Sequence, residues 1–115
     1  MKLRELQKEF TRKGVKYTQI IKSINNVLTD SGEEKKDGFF LYKCKNIEHG
    51  NEYYELFRYK VAKPHPHDAG DWDMVEVYPG DEQFGVWAWC CSTKGSVAKT
   101  LKSEFGIEYD IRKIA

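Results

Sequence analysis

Apolar positions recur with a helical spacing in the first quarter of the chain and with a period of two from Phe39 onward. Leu3, Leu6 and Phe10 fall at i, i+3 and i+7 with charged residues between them, which predicts a short helix from about Leu3 to Lys13, stopped by Gly14. Tyr17, Ile20, Ile21, Ile24, Val27 and Leu28 complete an i, i+3, i+4, i+7 stripe. They predict a second helix, with Thr18 as its cap and Asp30-Ser31-Gly32 as its end. A charged stretch, Glu33 to Gly38, separates this helical part from aromatic and β-branched runs at Phe39–Ile47, Tyr53–Ala62, Trp72–Tyr78 and Phe84–Cys91. The first two runs flank Gly50-Asn51, a hairpin signal, and Pro79-Gly80 turns the third into the fourth. Val97, Ala98, Leu101 and Phe105 share one stripe of a last helix that begins near Ser92 or Thr93 and stops at Gly106.

These elements predict a single α+β domain over residues 1–115. It has an N-terminal helix pair, a four-stranded antiparallel meander sheet and a C-terminal helix packed on the sheet. In the fourth run Phe84, Val86, Ala88 and Cys90 alternate with Gly85, Trp87, Trp89 and Cys91, so both faces of that strand read as apolar.

Composition narrows the class. With 115 residues, 40% apolar and 14% aromatic, the chain has enough material for one core, which excludes a two-domain enzyme and a disordered segment. No window approaches the roughly 20 apolar residues that cross a bilayer, so the expectation is a cytoplasmic protein with no membrane partner. The three cysteines are odd in number and Cys90 adjoins Cys91, a poor framework for disulfides, so they read as free thiols in a reducing compartment.

Charge is uneven although the net value is +1: residues 1–26 hold seven basic and two acidic side chains, and residues 61–90 hold one basic and six acidic ones. Three features then stand out as candidate chemistry. Gln19, Lys22 and Asn26 lie at i, i+3 and i+7 on the polar side of the second predicted helix, where amide and ammonium groups suit base edges and phosphate. The corner at Gly14 is similar to a helix-turn-helix around the turn, but Phe10, Lys13 and Ser23 depart from that pattern. Tyr59, Trp87 and Trp89 belong to an aromatic sheet face that would bind a partner or a second copy if it were exposed, and would be core if the helices covered it. His65, His67 and Asp68 form the densest set of potential metal ligands, in a Pro-stiffened loop.

No phosphate loop, nucleophile elbow or Cys-x-x-Cys pair is present. The leading expectation is a non-catalytic binding module without cofactor or catalytic residues, whose partner is an unidentified protein or a second copy. Nucleic-acid binding through the basic helix pair and a metal-dependent enzyme at His65 and His67 are the alternatives.

Overall fold

The computed structural model describes residues 2–28, 34–66 and 70–114, and within them all side chains except those of residues 25–28 and 34–37. The chain is mostly β. The described residues form β1 (Leu3–Arg4), β2 (Glu9–Arg12), β3 (Val15–Leu28), β4 (Glu34–Asn46), β5 (Glu52–Arg58), β6 (Val61–Ala62), β7 (Met74–Glu76), β8 (Ala88–Cys91) and a helix, α1 (Lys94–Phe105). Short 3-10 turns at Asp81–Gln83 and Ile111–Lys113 are also present.

Five strands make an antiparallel sheet in the order β2-β3-β4-β5-β8, and three make a smaller one in the order β1-β7-β6, where β1 runs parallel to β7. The expected α+β meander is therefore corrected in two respects. Among the described residues there is no N-terminal helix pair, and the main sheet has five strands rather than four because β2 and β3 join it while β6 and β7 leave for the second sheet.

The residues read as helices have local reasons to be strands. Lys13 and Gly14 both take positive φ, 52° and 76°, so they form a two-residue hairpin turn of the twist that joins antiparallel strands, not a helical corner. Within β3 the pairing to β4 slips between Gln19 and Ile21, a β-bulge that inserts one extra residue. Ile20 and Ile21 consequently pack on the same side, against the core under α1, while Tyr17 lies in the opposite core. Two adjacent isoleucines on one face break the period of two and imitate a helical stripe.

Alternation elsewhere is regular and gives the main sheet two buried faces. Tyr17, Phe40, Tyr42, Cys44, Phe57, Tyr59, Trp87 and Ala88 form an aromatic core on one side, closed over by Leu6, Phe10, Val77, Tyr78 and Phe84. Phe39, Leu41, Tyr54, Leu56 and Cys91 form the other, closed by Val97 and Leu101 of α1 and by Ile114. The helix lies where its apolar stripe places it. Thr93 Oγ1 accepts the Ser96 N–H at 3.1 Å, and Gly106, in the left-handed region, receives the last turn.

Candidate functional site: a basic and aromatic groove beside β2

The segment between β1 and β2 is held over the aromatic core by side chains reaching up from the sheet. Glu76, at the end of β7, is 3% exposed and its Oε1 accepts the Leu6 N–H at 2.9 Å. Lys22, brought to this face by the bulge in β3, places its Nζ 3.0 Å from Glu76 Oε2 and 2.8 Å from Glu5 Oε1. Glu76 Oε2 is enclosed and accepts no well-directed hydrogen bond, while Lys22 Nζ donates to Oε1 at 3.3 Å, so the ammonium compensates the carboxylate through that bond and by its charge. One strand position earlier, Gln19 Nε2 donates to the Tyr42 hydroxyl at 2.9 Å, and that hydroxyl donates to the Gln7 carbonyl at 2.8 Å.

Beside this anchored segment lies a groove made of two contiguous depressions. The first, about 370 Å³, is walled by Leu6, Phe10, Arg12, Glu76 and Tyr78, and the second, about 340 Å³, continues past Tyr78 and Val77 to Lys63 and His65. Arg4, Leu6, Glu76 and Tyr78 line both, so the two form one trough. Its lining carries Arg4, Arg12 and Lys63 against Glu5 and Glu76, and both carboxylates are engaged by Lys22.

The aromatic floor is ordered by edge contacts and by one cation. Phe10 stacks on Tyr17 with centroids 4.7 Å apart, and Tyr78 meets Phe10 edge-on at 5.7 Å. The Arg12 guanidinium sits 5.6 Å above the Tyr17 ring and 5.8 Å from that of Tyr78, which sets its charge at the mouth of the groove. Tyr78 donates to Glu55 Oε1 at 2.5 Å.

Burial raises the pKa of Glu55 against the opposing hydrogen bond from Tyr78, and burial together with the Glu55 charge drives Tyr78 far above the ordinary tyrosine range. For Lys22, burial pulls the pKa down, but hydrogen bonds to Glu5 and Glu76 outweigh it and the net shift is upward. The neighbouring thiols are disarmed: burial pushes Cys44 up to about 12, and burial with the Glu55 charge raises Cys90 as well.

The residues singled out from the sequence scatter. Gln19 and Lys22 share a face of β3 but are turned inward and occupied by Tyr42, Glu5 and Glu76, not displayed on a basic helix. The Asn26 side chain lies outside the described residues. Tyr59 and Trp87 are buried in the aromatic core, and Trp89 packs on the opposite core, its ring 5.3 Å from Phe105. Trp87 and Trp89 thus part to opposite sides, because Trp87 belongs to the turn that follows Gly85 and precedes β8. The Trp87 indole donates to Gln83 Oε1 at 2.7 Å under the Lys60 ammonium, so the chain itself covers it.

His65 is exposed at the far end of the groove, whereas His67 and Asp68 lie outside the described residues. Among the described residues no three His, Cys, Asp or Glu side chains are grouped so that they could hold a metal ion, and no helix is long and apolar enough to cross a membrane.

Arg4 and Arg12 belong to the basic N-terminal stretch and Tyr78 to an aromatic run read from the sequence, but their convergence on Glu76 was not anticipated. The basic run over residues 1–16 and the lone carboxylate inside Val75-Glu76-Val77 were the signals that pointed toward it. No family model matches the chain, and no curated protein and no solved structure matches it.

Proposed function

We propose that the protein is a binding module without catalytic activity whose groove takes an extended acidic segment of a protein partner. The observation that carries this reading is the trough itself: an apolar and aromatic floor of Leu6, Phe10, Val77 and Tyr78, with Arg12 at one end and Lys63 at the other. An open, elongated groove with cations spaced along it suits an extended chain bearing carboxylates better than a compact ligand, because each carboxylate can meet its own cation while the apolar side chains enter the floor. The raised thiols and the mutual engagement of Tyr78 and Glu55 support recognition rather than nucleophilic or acid-base chemistry. Three free cysteines support a reducing, cytoplasmic setting.

A short fluorescent peptide alternating glutamate and leucine, titrated by polarisation at low salt, is the test. Binding is expected to weaken as salt rises and to fall at least about tenfold in Arg12→Glu, with no change in Lys99→Glu on the exposed side of α1. Absence of binding up to about 1 mM protein refutes the reading.

A further inference from the structure

The wall of the groove formed by β2 is also an edge of the main sheet, and its backbone is arranged to receive another strand. Pairing of Glu9, Phe10, Thr11 and Arg12 with Thr18, Tyr17, Lys16 and Val15 is antiparallel, and the ladder continues through the Gln19 N–H, which donates to the Lys8 carbonyl at 2.7 Å. In such a ladder alternate residues turn both polar groups toward the partner. Residues 8, 10 and 12 therefore point theirs at β3, and Glu9 and Thr11 point theirs outward. Among the described residues no strand pairs with that outer edge.

The opposite edge of the sheet differs. At β8 the Gly85 N–H donates to the Ala88 carbonyl at 2.7 Å and Phe84 bridges to Ala88, so the preceding turn occupies the edge. The turn takes up the outer edge of β8 at Ala88, whereas β2 is open at both Glu9 and Thr11 beside a groove.

Building on the acidic-segment reading, we propose that the partner binds by strand addition to β2. Its backbone exchanges hydrogen bonds with Glu9 and Thr11, and every second side chain enters the groove beside Phe10 and Arg12. Residues directly opposite across a ladder share a face, so the partner residues facing Phe10 and Arg12 lie on the groove side: an apolar one against Phe10 and an acidic one against Arg12. Charge selects the occupant. Lys8, Arg12 and Lys13 surround the edge, while Glu9 is paired with Lys16 at 2.9 Å. A second copy of the chain would bring a second set of the same cations to the same edge, whereas an acidic strand neutralises the set already there.

The test is an N-methyl scan of the glutamate and leucine peptide, coupled with one protein variant. Methylation of an amide that faces β2 removes a donor, so affinity is expected to fall at least about tenfold at alternate positions and to hold at those between. Thr11→Pro removes an outward N–H that β3 does not use, and is expected to weaken binding by a similar factor while the melting temperature stays near that of the parent. Equal sensitivity at all positions overturns strand addition. So does full affinity in a folded Thr11→Pro, even where Arg12→Glu still abolishes binding and the groove reading survives. Should Thr11→Pro fail to fold, the scan alone decides, and failure of the unmethylated peptide to bind would count against the groove reading itself.

Discussion

Replacing Lys22 with methionine removes one charge from the Glu76 cluster and keeps most of the volume over Phe40. In the parent, Nζ lies 3.0 Å from Glu76 Oε2, a gross attraction of about 5–6 kcal/mol at an effective dielectric of about 20. Most of that attraction is offset by the desolvation of both groups. The variant, however, keeps the Glu76 cost without the gain, because the carboxylate is 3% exposed and is left with neutral partners, the Leu6 N–H and the Tyr59 hydroxyl, and no cation.

Breaking a fully buried pair costs about 3–5 kcal/mol, and since the Lys22 side chain is 23% exposed the expectation falls to about 2–3 kcal/mol, or a melting decrease of about 8–12 °C. Glu76→Leu alone leaves Lys22 beside exposed Glu5, and its cost, about 1–2 kcal/mol, comes from the orphaned Leu6 N–H and lost packing. Lys22→Met with Glu76→Leu leaves no uncompensated charge and is expected to match Glu76→Leu alone, about 1–2 kcal/mol below the parent, a coupling of about 2 kcal/mol. Urea unfolding with a constant m-value measures each corner of the cycle. Additive changes, or a loss below about 0.5 kcal/mol for Lys22→Met, would show that the pair behaves as a solvated surface bridge and refute the argument.

Gly38 faces Ile24 across the β3–β4 pair, and a Cβ built there would lie 1.9 Å from the Ser23 carbonyl oxygen. Gly38→Ala must therefore push the two strands apart, with an expected loss of about 3 kcal/mol read by urea unfolding; a neutral result would place the strands farther apart than described. Glu55 has a folded pKa raised above its ordinary 4.5, so the native state holds its proton more tightly than the unfolded chain. Its contribution to stability accordingly falls as pH rises from about 4.5 through the raised value, then stays constant. Glu55→Gln removes that fall and gains on the parent as pH increases; parallel stability curves between pH 4 and neutrality would contradict the assigned burial.

What the sequence reveals about the fold depends on whether a segment's pattern is generated locally. The α1 stripe of Val97, Ala98, Leu101 and Phe105 and the caps Thr93 and Gly106 are local signals, and the helix follows from them. So do the alternating Phe39–Cys44 and the Gly50 turn. β3 is different. Its identity as a strand comes from pairing along nearly its whole length with β4, and its hydrophobic phase is shifted by a bulge that only the partner strand defines. The same bulge explains the misplaced site. Without the extra residue, Lys22 would face α1; with it, Lys22 turns into the aromatic side and meets Glu76, 54 positions away in sequence. Trp87 and Trp89 illustrate the reverse error, since spacing by two implies a shared face only if both residues lie in one strand, and the turn after Gly85 breaks that condition.

The cluster that fixes the fold also shapes the groove. Residues between β1 and β2 belong to no strand, and without support a polar stretch of this kind would sample many backbone conformations, each ordered residue costing about 1–2 kcal/mol of entropy. Glu76 holds Leu6 by its N–H and Tyr42 holds Gln7 by its carbonyl, so the wall of the groove is ordered before any partner arrives. A partner adding to β2 then meets a preformed surface and bears mainly its own ordering cost. It follows that loosening the cluster should weaken recognition even though Glu76 Oε2 is enclosed and no partner atom need touch it. The stability loss in Lys22→Met and an affinity loss for the acidic peptide should therefore appear together, and adding Glu76→Leu should recover part of the stability but not the affinity, because the Leu6 N–H then has no acceptor. Persistence of full peptide affinity in a destabilised Lys22→Met protein would separate the two roles and confine the cluster to holding the fold.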